Sequence, residues 1–320
     1  MRKIIILFTL LACCLSVFSQ RQKRGVDFRE WEDSLIQLRD RVMSGATETE
    51  RLSLNEDFMY QLEQVLQMDG SFKFGWDSVK NFAVVTSPDK LFRIFTWYIM
   101  KDDYSYENFG LLQVYVDQRK HYSVIPLYDK RYSIDYPKTF IGNHNRWYGA
   151  VYYKIVPIES GDRTYYTLLG WNGNNIFTNE KIIEVLHFKN DMTPVFGANI
   201  FKKYSERCSR VILSYSKNAS MSLNYEYQSY NVGTGHKDPK TREVVYDKVY
   251  AQVIVFDELI PMDEGVPNLP SFMVPESSLN QGFVKDKGKW LFLKSVNRRN
   301  PDKEMPKYQY KPRMIYSPGQ

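Results

Sequence analysis

Phe82-Ala83-Val84-Val85-Thr86-Ser87-Pro88-Asp89-Lys90-Leu91-Phe92-Arg93-Ile94-Phe95-Thr96-Trp97-Tyr98-Ile99 is the stretch that decides the fold. Two runs rich in β-branched and aromatic residues, Phe82–Ser87 and Leu91–Ile99, flank a Ser-Pro-Asp-Lys turn. Proline presets the turn's φ and aspartate bonds to nearby backbone, so the segment reads as a β-hairpin.

Upstream the period differs. Asp27-Phe28-Arg29-Glu30 reads as a helix N-cap with its reciprocal glutamate, and Phe28, Trp31, Leu35, Leu38 and Val42 recur at helical spacing up to Gly45. Thr47 and Glu50 repeat the capping box. Leu54, Phe58, Leu62 and Val65 then carry a second amphipathic helix to about Gln67, and Asp69-Gly70 stops it. The two helices form an αα-hairpin whose apolar stripes need a partner surface.

Downstream the period stays near two. Phe109–Asp117 alternates through Leu112, Val114 and Val116. Trp147–Ile158 and Thr164–Trp171 flank Glu159-Ser160-Gly161-Asp162 as another hairpin, and Lys181–Phe188 follows a Gly/Asn-rich turn. Arg210–Ser216 and Met221–Gln228 are joined through Lys217-Asn218-Ala219-Ser220, and strands are expected at Val249–Asp257 and Trp290–Val296. Asn231–Glu243 and Ile260–Asn280 have loop composition. Sequential short strands with short turns predict an α+β, mainly β protein. Its N-terminal αα-hairpin packs on a large antiparallel meander, a sandwich or an open barrel. Aromatic residues make up 15% of the chain, which favours strands over helices.

The ends carry different information. Met1-Arg2-Lys3 followed by the apolar run Ile4–Phe18 has the form of a secretory signal peptide, with cleavage expected after Ser19. Leu10-Leu11-Ala12-Cys13 offers a second reading, an outer-membrane lipoprotein lipidated at Cys13. The predicted organisation is a leader at 1–20, a helical hairpin at 21–70, a β domain at 71–297 and a basic Pro/Tyr-rich tail at 298–320. No mature segment is apolar enough to span a bilayer. The chain has 43 Lys+Arg against 37 Asp+Glu, and two of the basic residues, Arg2 and Lys3, lie in the leader. That mild excess does not point to nucleic acid. Export leaves Cys208 without an intramolecular disulfide partner, and it reads as a small apolar residue.

Sequence chemistry is mostly exclusion. His121, His144, His187 and His236 are far apart with no metal-ligand spacing, G-x-S-x-G is absent, and Gly233-Thr234-Gly235 lacks the rest of a dinucleotide fingerprint. No metal or cofactor is expected. Asp257, Glu258, Asp263, Glu264, Glu184 and Glu226 are the carboxylates considered for a two-acid glycan hydrolase. Glu184 and Glu226 are placed on polar strand faces. Aromatics crowd one hairpin, and Trp147, Tyr148, Tyr166 and Trp171 are the expected binding residues, because a ring with a polar tip suits sugars and protein surfaces.

The ordered blocks Phe92–Trp97, Leu168–Asn174, Lys181–Leu186, Pro194–Gly197, Met221–Tyr225, Val253–Asp257 and Gly288–Trp290 resemble a family of uncharacterised secreted proteins from Bacteroidetes. The similarity covers most of residues 80–297. Members tend to carry Gly-Pro-Asp and Tyr-Asp-Gly before the last strand, where this chain reads Pro275-Glu276-Ser277-Ser278-Leu279-Asn280-Gln281-Gly282. The resemblance implies a bacterial exported protein and no particular activity. The expected role is an exported, noncatalytic binding or scaffolding protein whose partner is an envelope protein or a glycan. A carboxylate-dependent glycan hydrolase is the alternative.

Overall fold

A computed structural model describes residues 26–116, 121–205 and 207–297. The leader with Cys13, the basic start Arg21-Gln22-Lys23-Arg24 and the tail 298–320 lie outside the described residues. The fold is α+β and mainly β; the described residues form two helices and three open, largely antiparallel sheets, with one short parallel pairing between Phe201–Lys202 and Trp290–Leu291. Contacts divide the described residues into two compact units, one holding those of 26–199 and 209–213, the other those of 200–208 and 214–297. The helices therefore group with the strands up to residue 199.

In the first unit, α1 (Phe28–Ser44) and α2 (Glu48–Leu66) start where the capping residues place them. The Asp27 carboxylate accepts from the Arg29 N–H at 3.0 Å. The Thr47 hydroxyl accepts from the Glu50 N–H at 3.2 Å, while the Glu50 carboxylate reaches back to the Ala46 N–H at 2.9 Å. Side-chain capping is worth about 1 kcal/mol per helix start, and the second helix adds the reciprocal glutamate.

The helical pair covers one face of a four-stranded sheet, β1 (Ala83–Thr86), β2 (Phe92–Met100), β3 (Tyr106–Val116) and β4 (His121–Tyr128), in sequence order. β2 explains the layering. Phe95, Trp97 and Ile99 pack under Leu35, Phe58, Leu62 and Val65 of the helices. Phe92 and Ile94 point the other way into a second core with Trp147, Tyr152, Leu168, Ile182 and Phe196. A strand covered on both faces loses its polar alternation. The turn before β2 is built as its composition predicts. Ser87 Oγ donates to Asp89 Oδ1 at 2.6 Å, and the Lys90 N–H reaches the Ser87 carbonyl at 2.8 Å.

The second core is closed by a sheet in the order β5 (Gly142–Asn143), β9 (Pro194–Phe196), β8 (Thr178–Phe188), β7 (Arg163–Asn172), β6 (Val151–Ser160). β11 (Val211–Ser216) also pairs with β8. The unit is a helix pair on a two-sheet sandwich, not a barrel. Polar links stitch its layers. Trp97 Nε1 donates to Asn55 Oδ1 of α2 at 2.7 Å. Gln113 Nε2 donates to the Leu66 carbonyl at 2.7 Å, satisfying an end carbonyl of α2 that the helix cannot.

The second unit is a sheet in the order β10 (Phe201–Lys202), β15 (Lys289–Leu293), β14 (Met273–Asp286), β13 (Val244–Pro261), β12 (Leu223–Lys237). Three expectations change here. Arg210–Ser216 and Met221–Gln228 do not form a hairpin with each other, since β11 joins β8 and β12 pairs β13. Asn231–Glu243 is strand as far as Lys237. Ile260–Asn280 is strand at its two ends, Ile260–Pro261 in β13 and Met273–Asn280 in β14. Both stretches lie on two-stranded ribbons with mostly exposed or half-exposed faces, such as Asn231 opposite Lys248 and Ile260 opposite Val274. Neither face is a core, so the sequence shows no apolar alternation to read.

Candidate functional site

Three of the four expected binding residues are inside. Trp147 is fully buried, and its Nε1 donates to the Tyr152 hydroxyl at 3.0 Å. The Tyr148 hydroxyl donates to Glu180 Oε2 at 2.9 Å beneath the surface, and burial followed by Glu180 pushes its pKa far up. The Tyr166 hydroxyl donates to Asp89 Oδ2, and its ring packs edge-on to Phe92 at 4.9 Å. On adjacent strands half the side chains face the core, and these three belong to that half or to the segment closing it. They are core residues and not a platform.

Trp171, the fourth, reaches the rim. It stands on β7 opposite Val151 and Lys181. Tyr98 on β2 and Tyr106 on β3 meet it at the same end of the sandwich. Their ring centroids are 5.6 and 5.8 Å from Trp171 and 5.2 Å from each other. All three residues are half-buried. Gly173 makes the approach feasible, because a Cβ there would sit 2.5 Å from the Tyr106 ring. The Tyr106 N–H bonds the Asn174 carbonyl at 3.0 Å, tying the two sheets together. Burial, and then Tyr98, raises the Tyr106 pKa.

Tyr132 widens this rim. It is 69% exposed. The Arg131 guanidinium lies over one of its faces at 4.5 Å, which leaves the other face outward. Its hydroxyl accepts from Arg131 at 2.7 Å and reaches the Asn174 carbonyl at 3.4 Å. Ile176 and Phe177 are exposed on the adjoining loop, which Asn175 Oδ1 folds by accepting from the Phe177 and Thr178 N–H groups at 2.9 and 3.0 Å. On the neighbouring strands Lys181 Nζ lies 5.0 Å over the ring of Tyr153.

The rim stands on a buried ionic floor. Asp129 Oδ2 accepts from the Asn108 N–H and side-chain amide at 3.2 and 3.1 Å, and from Arg131 at 3.4 Å. Asp129 Oδ1 accepts from the Arg131 and Gly149 N–H groups at 3.1 and 3.2 Å. Burial opposes the charge on Arg131, but Asp129 and Tyr132 outweigh it and hold its pKa above the ordinary value. Arg131 also donates to the Tyr106 carbonyl, so one guanidinium fixes two rim residues. No sequence signal marked Tyr98, Tyr106 or Tyr132, which come together from three separate segments.

The carboxylates considered from the sequence stand in different settings. Glu184 is not on a solvated face; it is fully buried and accepts from Arg210 Nε at 2.7 Å. Asp257 is buried, and its carboxylate accepts from the Ser222 N–H at 2.7 Å. Asp263 and Glu264 are exposed in the loop after β13. A cavity of about 360 Å³ between the helices and the β2–β3 turn has one carboxylate, Asp102, engaged by Arg51 at 2.6 Å. A cavity of about 300 Å³ in the second unit has one carboxylate, Glu258. Neither offers the acid pair a glycosidase needs. Among the described residues no three His, Cys, Asp or Glu side chains gather as metal ligands, and no helix is long and apolar enough to cross a membrane. Cys208 is buried. What the rim can do chemically is bind. It offers apolar ring surface, amide and hydroxyl hydrogen bonds, and cations held nearby.

Comparison with known protein families, with curated proteins and with solved structures returned no match.

Proposed function

We propose that this chain is an exported, noncatalytic binding protein of the bacterial envelope and that the rim of Tyr98, Tyr106, Tyr132 and Trp171 contacts a glycan. The rim is the observation that carries this. Aromatic rings with polar tips, half out of the core and anchored from below by Arg131 and Asp129, suit the apolar faces and peripheral hydroxyls of sugars. Anchoring lowers the entropy lost on binding, because the rings are already held in place. Export rests on the leader-like run Ile4–Phe18 and on the resemblance to secreted proteins.

Binding is tested by titrating the mature protein with soluble envelope polysaccharides and following tryptophan fluorescence. Tyr132→Ala and Trp171→Ala should each weaken a saturable interaction severalfold while thermal unfolding of the Tyr132 variant stays near wild type. No saturable binding, or binding indifferent to both changes, would refute the proposal. Export is tested separately by N-terminal mass spectrometry of the fractionated protein. A mature start at Gln20 supports it. Cytoplasmic protein with an intact leader refutes it, and a lipidated Cys13 replaces cleavage after Ser19 by the lipoprotein reading.

A further inference from the structure

The second unit contains a cavity that the aromatic rim does not explain. In the ladder between β13 and β14, Asp257 pairs with Asn280, but the next residue, Glu258, pairs with Glu276. Ser277, Ser278 and Leu279 thus have no residue opposite them. A bulge of this size opens the sheet locally, and such openings recur beside functional sites. The chain leaving β15 then folds back across the gap, where the Val296 N–H bonds the Asn280 carbonyl at 2.8 Å and the Asn297 N–H bonds the Ser229 carbonyl at 2.9 Å. Gly282 permits that crossing, since a Cβ there would meet Val296 at 3.1 Å and the Ile254 carbonyl at 2.5 Å.

The half-open space is about 300 Å³, the lower end of the range for small-molecule pockets. Its walls are polar, with Glu258, Lys294, three serines, Asn280 and Asn297. Asn280 is only 7% exposed. Its amide nitrogen donates to the Ser277 carbonyl at 3.2 Å, but its Oδ1 is buried and accepts nothing. An orphaned buried acceptor costs about 1–3 kcal/mol and asks for a donor from whatever fills the cavity.

Charge narrows the choice. Glu258 stands on β13 and Lys294 just beyond β15, with β14 between them. Two strand spacings separate their backbones by roughly 10 Å. Among the described residues neither makes an ion pair, with the other or elsewhere. The cavity thus carries an unpaired carboxylate on one wall and an unpaired ammonium on the other. It has no aromatic ring in its lining, which disfavours a sugar.

We infer that this cavity binds a small zwitterion of the amino-acid or dipeptide kind, its ammonium shared by Asn280 Oδ1 and Glu258 and its carboxylate directed to Lys294. The site is distinct from the rim and does not rest on a glycan ligand.

The test titrates the full mature protein with L-alanine, L-leucine and L-alanyl-L-alanine, read by isotope-edited NMR, with N-acetyl-L-alanine and D-glucose as controls. At least one zwitterion should saturate below roughly 10 mM, and the acetylated compound, which lacks the ammonium, should bind several times more weakly. Glu258→Gln keeps the shape of a half-buried side chain and Lys294→Met alters an exposed one, so the fold should survive. Each should weaken binding about two- to fivefold, as expected for a partly screened ion pair. Lack of saturation by every zwitterion, equal binding of D-glucose, or unchanged binding in both variants would overturn the inference. Loss of rim binding in Tyr132→Ala with zwitterion binding intact would show the two sites to be separate.

Discussion

Replacing Arg210 by methionine strips the partner from a fully buried carboxylate, Glu184. The Arg210 and Glu184 side chains are 1% and 0% exposed, with Nε and Oε2 2.7 Å apart. Removing one member of a buried pair costs about 3–5 kcal/mol, because the other charge is left without compensation. Arg210 also donates to the carbonyls of Phe140, at 2.8 Å, and of Pro137, which would lose those donors. At roughly 2–4 °C per kcal/mol for a unit of this size, melting should fall by roughly 6–20 °C. Burial outweighs the attraction of Arg210 and its hydrogen bond, and sets the Glu184 pKa above the ordinary carboxylate value. Without Arg210 it rises further. A carboxyl with a raised folded pKa contributes stability below its unfolded pKa and loses it as pH rises through the folded pKa. The deficit of Arg210→Met should therefore be smallest near pH 4 and widen toward neutrality, by up to about 1.4 kcal/mol per pH unit. The double change Arg210→Met with Glu184→Leu removes both charges and should cost less than the two single changes together, by about 1–3 kcal/mol. Urea unfolding at several pH values measures all three. A single-variant cost below about 1 kcal/mol, or a deficit flat with pH, would refute the reasoning.

Three further outcomes are expected. Asn55→Ala leaves the buried Trp97 Nε1–H without its acceptor and should cost about 1–3 kcal/mol in chemical unfolding, whereas Trp97→Phe in the same background should recover part of that loss. Gly149→Ala drives a Cβ to 2.3 Å from the Asp129 carboxylate and 2.8 Å from Asn108, so it should destabilise by about 1–3 kcal/mol and weaken rim binding along with it. His187 has its pKa lowered to about 4 by burial, then by Arg163 and Lys189. A depressed folded pKa gives stability that is present above the unfolded value and lost as pH falls toward the folded one, so His187→Phe should flatten the stability profile between about pH 6.5 and 4. Unaltered profiles would show that this imidazole does not limit acid stability.

Much of the fold was written locally. Asp27, Thr47 and Glu50 cap two helices because capping depends on residues two to four apart, and the Ser87–Lys90 turn closes through its own Ser87 and Asp89. The runs of β2, β6, β7 and β8 follow from β-branched and aromatic residues and from the short polar turns that bound them. Local patterning of this kind fixes element type and order, and with them the α+β, mainly β class. Tertiary structure decided everything that depends on which face of a strand is covered and by what. Trp147, Tyr148 and Tyr166 went into the core while Trp171 stayed at the rim, although all four look alike in sequence. Glu184 became half of a buried pair because Arg210 arrives from 26 residues away. The bulge at Ser277–Leu279 exists only as a mismatch between two strands. Sequence spacing encodes the period of a side chain but not its partner across space. Partners assign each ring or charge to core, floor or cavity.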